Sequence, residues 1–136
     1  MSSVARITSH EHSARVRHVQ VSGEIDLANV DDVRQTITSA LADDPARVVL
    51  DLRGTTYLDS AAIAMLFRLA QRLGHRRQDL RLLVPPKSPI RAVLELTSIR
   101  TVISVHDTLE EAAAEPATPD RGAPGPTPPQ RPLTPP

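Results

Sequence analysis

An acid and a hydroxyl stand side by side at Asp59 and Ser60, directly ahead of the apolar run "AAIAML". Three kinds of chemistry suit a serine so placed. As a bland helix cap, Asp59 or Ser60 accepts a hydrogen bond from the helix's first free N–H groups, worth about 0.5–2 kcal/mol. As a phosphoacceptor, Ser60 offers an accessible hydroxyl whose phosphate would face the positive end of the helix dipole. As a nucleophile it would need a base, an orienting group and an oxyanion hole, and the Gly-x-Ser-x-Gly elbow is absent. Spacing alone favours the cap, because capping serines are common.

Other chemistry-bearing residues give weaker signals. His10, His12 and His18 cluster near the N-terminus, and His10 with His12 could chelate a metal from one face of a strand. No third ligand follows by spacing, so a solvated turn is the reading. The five glycines are scattered rather than gathered into a phosphate loop. Arg68, Arg72, Arg76 and Arg77 form a basic edge on one helix, read as a solvated face with dipole compensation rather than a phosphate patch.

The elements that must position these residues alternate in period. "RVRHVQVSG" sets Val19 and Val21 against His18 and Gln20, a half-buried strand. A short segment around Val4 to Thr8 is expected to pair with it antiparallel, through "SHEHS" as the turn. Val30, Val33, Ile37 and Leu41 then make a helical stripe, with Asn29 as N-cap, Asp31 and Asp32 in the first turn, and Asp44 and Pro45 at the end. "RVVLDL" reads as a strand covered on both faces, and "RGTTY" as a loop. The helix opened by Asp59 and Ser60 carries Ile63, Leu66, Phe67, Ala70 and Leu73, with Gly74 as C-cap.

"LRLLV" is the next strand. In "KSPIRAVLELTSI" Ser88 caps a helix and Pro89 opens it, with Ile90, Val93, Leu94 and Leu96 on its apolar side. "TVISV" is a last strand, and Asp107 with Glu110 has capping-box spacing before a last helix. Such alternation predicts an α/β fold: a mixed, mostly parallel sheet of four to five strands packed against about four helices.

Composition bounds the rest. The 136 residues suffice for one domain, expected over residues 1–115. Residues 116–136 hold nine of the thirteen prolines and almost nothing that could enter a core, which predicts a disordered tail, either merely solvated or a proline-motif docking segment. Sixteen basic and sixteen acidic residues cancel, which disfavours direct nucleic-acid binding. No apolar run approaches the roughly 20 residues of a membrane span, and no signal-peptide core opens the chain, so no membrane insertion and a cytoplasmic location are expected. The absence of cysteine removes disulfides and thiolate chemistry. Tyr57 and Phe67 alone make no base-stacking platform.

Two stretches taken together, "VSGEIDLANVDDVRQTI" and "VVLDLRGTTYLDSAAIAML", resemble the STAS domain of bacterial anti-sigma factor antagonists. In that family a Gly-Glu-Ile/Leu-Asp turn precedes the first helix and an Asp-Ser pair opens the second. "SPIRAVLELTSIRTVISVHDTLEEA" is similar to the family's C-terminal part, and the likeness covers about residues 14–115. It implies a STAS-like fold and a switch with no cofactor and no catalysis of its own. The unmodified antagonist would bind an anti-sigma factor that is also a serine kinase, so freeing a sigma factor. Phosphorylation at the matching serine, Ser60, would release it, and a metal-dependent protein phosphatase would reset it. The implied partner surface comprises Asp26, Leu58, Asp59, Ser60, Ala61 and Ala62.

The chain departs from the family where Ala62 and Ala64 replace the usual glycines, which predicts a surface thickened by two methyl groups. Ser98 stands where a glycine often ends the third helix. Two other roles stay open: a non-switching STAS module serving a membrane lipid transporter or a sensory scaffold, and an α/β enzyme using Ser60.

Overall fold

The computed structural model describes residues 5–114, so the proline-rich segment 116–136 and Val4 lie outside the described residues. Its elements run β1 (Ala5–Glu11), β2 (Val16–Ile25), α1 (Val30–Ser39), β3 (Arg47–Leu58), α2 (Ser60–His75), β4 (Asp79–Leu83), α3 (Arg91–Glu95), a 3-10 turn (Ile99–Thr101), β5 (Ser104–His106) and α4 (Leu109–Ala112). Among the described residues these form one five-stranded sheet in the order β1-β2-β3-β4-β5. β1 is antiparallel to β2 and every later pair is parallel. The expected architecture is present.

Strands added in chain order through right-handed crossovers put every crossover helix on the same side of the sheet. The main core lies there. Val19, Val21, Leu50, Leu52 and Leu82 from the sheet meet Ile37 of α1, Leu66 of α2 and Leu94 of α3. α4 follows the last strand, and its Ala112 lies with Ala113 in a smaller cluster with Val16, Val49 and Leu83. The alternation Val48 and Leu50 against Val49 and Asp51 shows why β3 reads as a continuous apolar run: both of its faces are covered there.

Several local expectations give way. β1 continues through His10 and Glu11, and the turn is tightened at residues 12–15 by the His12 N–H donating to the Val16 carbonyl at 2.9 Å. "RGTTY" is strand rather than loop, because β3 keeps pairing with β2 as far as Ile25 and Leu58. α2 runs through Gly74, and the left-handed residue that ends it is Arg77 at φ 60°, with the Gln78 N–H returning to the Leu73 carbonyl. Its fully buried face is Ala62, Met65, Leu66, Leu69 and Leu73, while the expected Ile63, Phe67 and Ala70 are partly buried and pack along the edge of the same core.

α3 is only five residues long, and Val93 and Leu96 stay exposed while Ile90 and Leu94 enter the core. Ser88 bonds the Ile90 N–H just outside it. The last cap is Thr108, accepting from the Glu111 N–H, one residue after the expected box; Asp107 is drawn instead to Arg91 at 2.9 Å. No described helix is long and apolar enough to cross a membrane.

Candidate functional site

The site grows from the register of β2 and β3. Gln20 faces Asp51, but Ser22 faces Gly54 and Glu24 faces Tyr57, so two irregularities each slip β3 by one residue relative to β2. Glycine makes both possible. Gly23 adopts φ 95°, a conformation L side chains rarely take, and a Cβ at Gly54 would lie 2.8 Å from the Ser22 Cβ. The Thr55 hydroxyl, fully buried, anchors the slipped strand by donating to the Val21 carbonyl at 2.8 Å. The result is that Ile25 and Leu58 end side by side, both buried, and the acids that follow them, Asp26 and Asp59, emerge at neighbouring strand ends.

Both junctions are held by side chains. The Asp59 carboxylate accepts the Ala62 N–H at 3.0 Å with one oxygen, the N-cap bond, and the Leu27 N–H at 2.9 Å with the other. One residue therefore starts α2 and ties down the turn before α1. In that turn Asp26 Oδ1 accepts the Ala28 N–H, and Asn29 Oδ1 accepts the Asp26 N–H, both at 3.0 Å. Asn29 Nδ2 donates to the Glu24 carbonyl at 2.8 Å. Asn29 occupies the expected cap position of α1 but makes no side-chain cap bond; it locks the turn backwards instead.

With Asp59 as the cap, Ser60 is released from that task. It sits at the first helical position, exposed, and its hydroxyl has no hydrogen-bond partner among the described residues. The first N–H groups of a sixteen-residue helix lie beside it without intrahelical acceptors. A phosphoryl group at this oxygen would meet that partial positive charge and, at the same time, the carboxylates of Asp59 and Asp26.

The six residues that the resemblance gathers do not play equal parts. Asp26, Asp59 and Ala61 are half-buried and Ser60 is exposed, whereas Leu58 and Ala62 are inside the core, at 4% and 0% exposure. Leu58 and Ala62 therefore support the surface from beneath. The expected thickening by two methyls is corrected accordingly: the Ala62 methyl points into the core, and only half-buried Ala64 could add to the surface.

Of the three histidines, only His12 moves apart, into the turn. His10 and His18 face each other across β1 and β2 with ring centroids 5.9 Å apart, His10 Nε2 lying 3.0 Å from Gln20 Oε1, while His18 is buried on the α4 side of the sheet with Nε2 2.7 Å from Asp51 Oδ2. The solvated-turn reading thus fails for His18, whose partner lies 33 residues away and leaves no local sequence signal. Burial penalises the Asp51 carboxylate, yet the Arg53 guanidinium at 2.6 Å, the Arg53 backbone N–H and His18 together hold its pKa below the ordinary value. This cluster ties β2 to β3 on the face opposite the main core.

Comparison with known proteins agrees with this geometry. The family model described as "STAS domain" matches residues 8–112. The anti-sigma-F factor antagonist RsfA of Mycobacterium tuberculosis is 31% identical over 105 residues, covering 76% of this chain and 80% of the relative. The crystal structure of an anti-sigma factor antagonist from Mycobacterium paratuberculosis superposes with a TM-score of 0.71 at 26% identity, over 80% of this chain and 91% of that one. The anti-sigma factor antagonist SpoIIAA in its unphosphorylated form shares the fold, with a TM-score of 0.62 at 18% identity over 79% and 92% of the two chains. With the paired strand ends, the Asp59 cap and the exposed Ser60 in place, the chain belongs to the STAS domain family, among the anti-sigma factor antagonists.

Proposed function

We propose that this chain is the antagonist arm of a partner switch. Unmodified, it binds an anti-sigma factor through the Asp26 turn and the start of α2, and so frees a sigma factor. Phosphorylation of Ser60 by the serine kinase activity of that same partner ends the interaction, and a metal-dependent protein phosphatase restores it. The observation that carries the reading is the division of labour at the start of α2: Asp59 takes the cap and leaves the Ser60 hydroxyl exposed and unbonded.

The energetics are sufficient. A phosphoryl group adds about −1.5 to −2 charges, which at an interface already holding Asp59 brings repulsion and an unmet desolvation cost. A difference of about 3 kcal/mol would weaken binding more than a hundredfold. Ala62, with its methyl in the core, offers no support for the scaffold or transporter alternative.

The test is a binding measurement between the full chain and the anti-sigma factors of its source organism. Wild type and Ser60→Ala should bind one of them tightly, Ser60→Asp should not, and incubation with that partner and ATP should add one phosphate at Ser60 alone. Equal binding by Ser60→Asp would overturn the switch.

A further inference from the structure

Away from the switch, the face between α1 and α2 carries positive charge that the switch does not use. Three adjoining concavities run along it. The first begins beside the switch and is bordered by Leu27, Ala61, Arg34 and Arg68. The second, of about 270 Å³, shares Arg34 and Arg68 and adds Thr38 and Arg72. The third shares Thr38 and Arg72 and reaches Leu73 and Arg76. Shared walls make these one groove, about 18 Å long by the helical rise from Ala61 to Leu73.

Arg34, Arg68 and Arg72 line it with guanidinium groups that have no hydrogen-bond or ion-pair partner among the described residues. Several other arginines are matched to acids, as Arg47 is to Asp79 at 2.8 Å and Arg91 to Asp107 at 2.9 Å, and Arg6, Arg15 and Arg77, which also lack an acidic partner among the described residues, are not gathered on this face. At the far end Arg76 is already held by Asp44. Asp31, at the end nearest the switch, is the one acid bordering the groove among the described residues. Arg68 and Arg72 are spaced i, i+4, where like charges cost helix stability, and Arg34 faces them from the other helix. In a chain of zero net charge, this is a local arrangement that lacks its counter-charge.

We propose that the groove receives an acidic segment of the anti-sigma factor, laid between α1 and α2 while the start of α2 is engaged. The inference rests on the antagonist reading and extends it to a second contact, continuous with the first because Leu27 and Ala61 border both. Charge complementarity selects the acid, and the apolar floor, Met65 and Leu69, suits a peptide of about five extended residues. A nucleic acid would need a broader positive field than a neutral chain supplies. Because the groove lies off Ser60, it governs encounter rate and salt dependence, while the phosphate governs release.

The test measures affinity of the full chain for the anti-sigma factor at low and high salt, comparing wild type, the triple variant Arg34→Gln/Arg68→Gln/Arg72→Gln and the matching triple lysine variant. The glutamine variant should bind at least about tenfold more weakly at low salt with a shallower salt dependence, and lysine should restore most of the affinity. Unchanged affinity and salt slope in the glutamine variant would overturn the groove and leave the antagonist reading standing. Failure of wild type to bind any anti-sigma factor would overturn both. Should the glutamine variant unfold, titrating a glutamate-rich peptide into isotopically labelled wild type decides the matter: amide shifts along residues 34–38 and 65–72 support the groove, and shifts confined elsewhere overturn it.

Discussion

The Leu27 N–H donates to Asp59 Oδ2 at 2.9 Å, although the two residues are 32 positions apart. Through this bond the turn that enters α1 and the cap that begins α2 form a single rigid edge. Ser60 follows directly on that edge, so in the proposed complex the shape offered to a partner depends on a carboxylate with both oxygens engaged.

Asp59→Asn leaves one oxygen for two N–H groups and is expected to cost about 1 kcal/mol. Asp59→Ala loses both bonds and should cost about 2–3 kcal/mol. Chemical denaturation reads these values directly. A loss below about 0.5 kcal/mol in the alanine variant would show that the edge is not held as described.

Ser60→Ala, in contrast, should leave stability within about 0.5 kcal/mol of wild type, since the hydroxyl bonds nothing in the described structure. A melting temperature clearly lowered by this substitution would mean that Ser60 does act as a cap.

Ala62→Gly should destabilise by about 1.5–2 kcal/mol, combining the helix-propensity difference with the loss of a buried methyl. If Ala62 instead formed part of the partner surface, the glycine variant would change affinity more than stability. The two readouts on one sample separate these cases.

Gly54→Ala brings a Cβ to 2.8 Å from the Ser22 Cβ and forces the irregular β2–β3 pairing to shift. A cost of about 2 kcal/mol is expected, with a loss of partner binding as Asp59 moves relative to Asp26. Adding Ser22→Gly removes the atom struck and should recover most of both. No recovery in the double variant would place the cost elsewhere.

Asp51 has a lowered pKa in the folded chain, so its contribution to stability is fully present above its unfolded value near 3.8 and fades as pH falls through the folded value. Asp51→Asn should therefore destabilise by about 2–4 kcal/mol near neutral pH, since it removes the buried carboxylate that bonds His18 Nε2 and pairs with the Arg53 guanidinium. The gap from wild type should narrow below about pH 4. A gap that stays constant from neutral to acid pH would contradict the ionised cluster.

Periodicity alone determined the order of elements. The runs in β2, β3 and β4 and the stripes of α1 and α2 are set by which neighbours in sequence share a face, a local property. The Asp59–Ser60 pair was legible for the same reason, since capping is a contact within one turn, although the choice between acid and hydroxyl as the cap was not. Tertiary structure decided what depends on distant partners: that "RGTTY" is strand because β2 lies beside it, that His18 is buried because Asp51 faces it, and that Asn29 turns back to Glu24 rather than capping α1. It also decided that Ala62 faces inward and that Arg34 joins Arg68 and Arg72 along one groove. Such pairings follow from strand register and helix rotation, which are set only when the whole apolar surface is buried together.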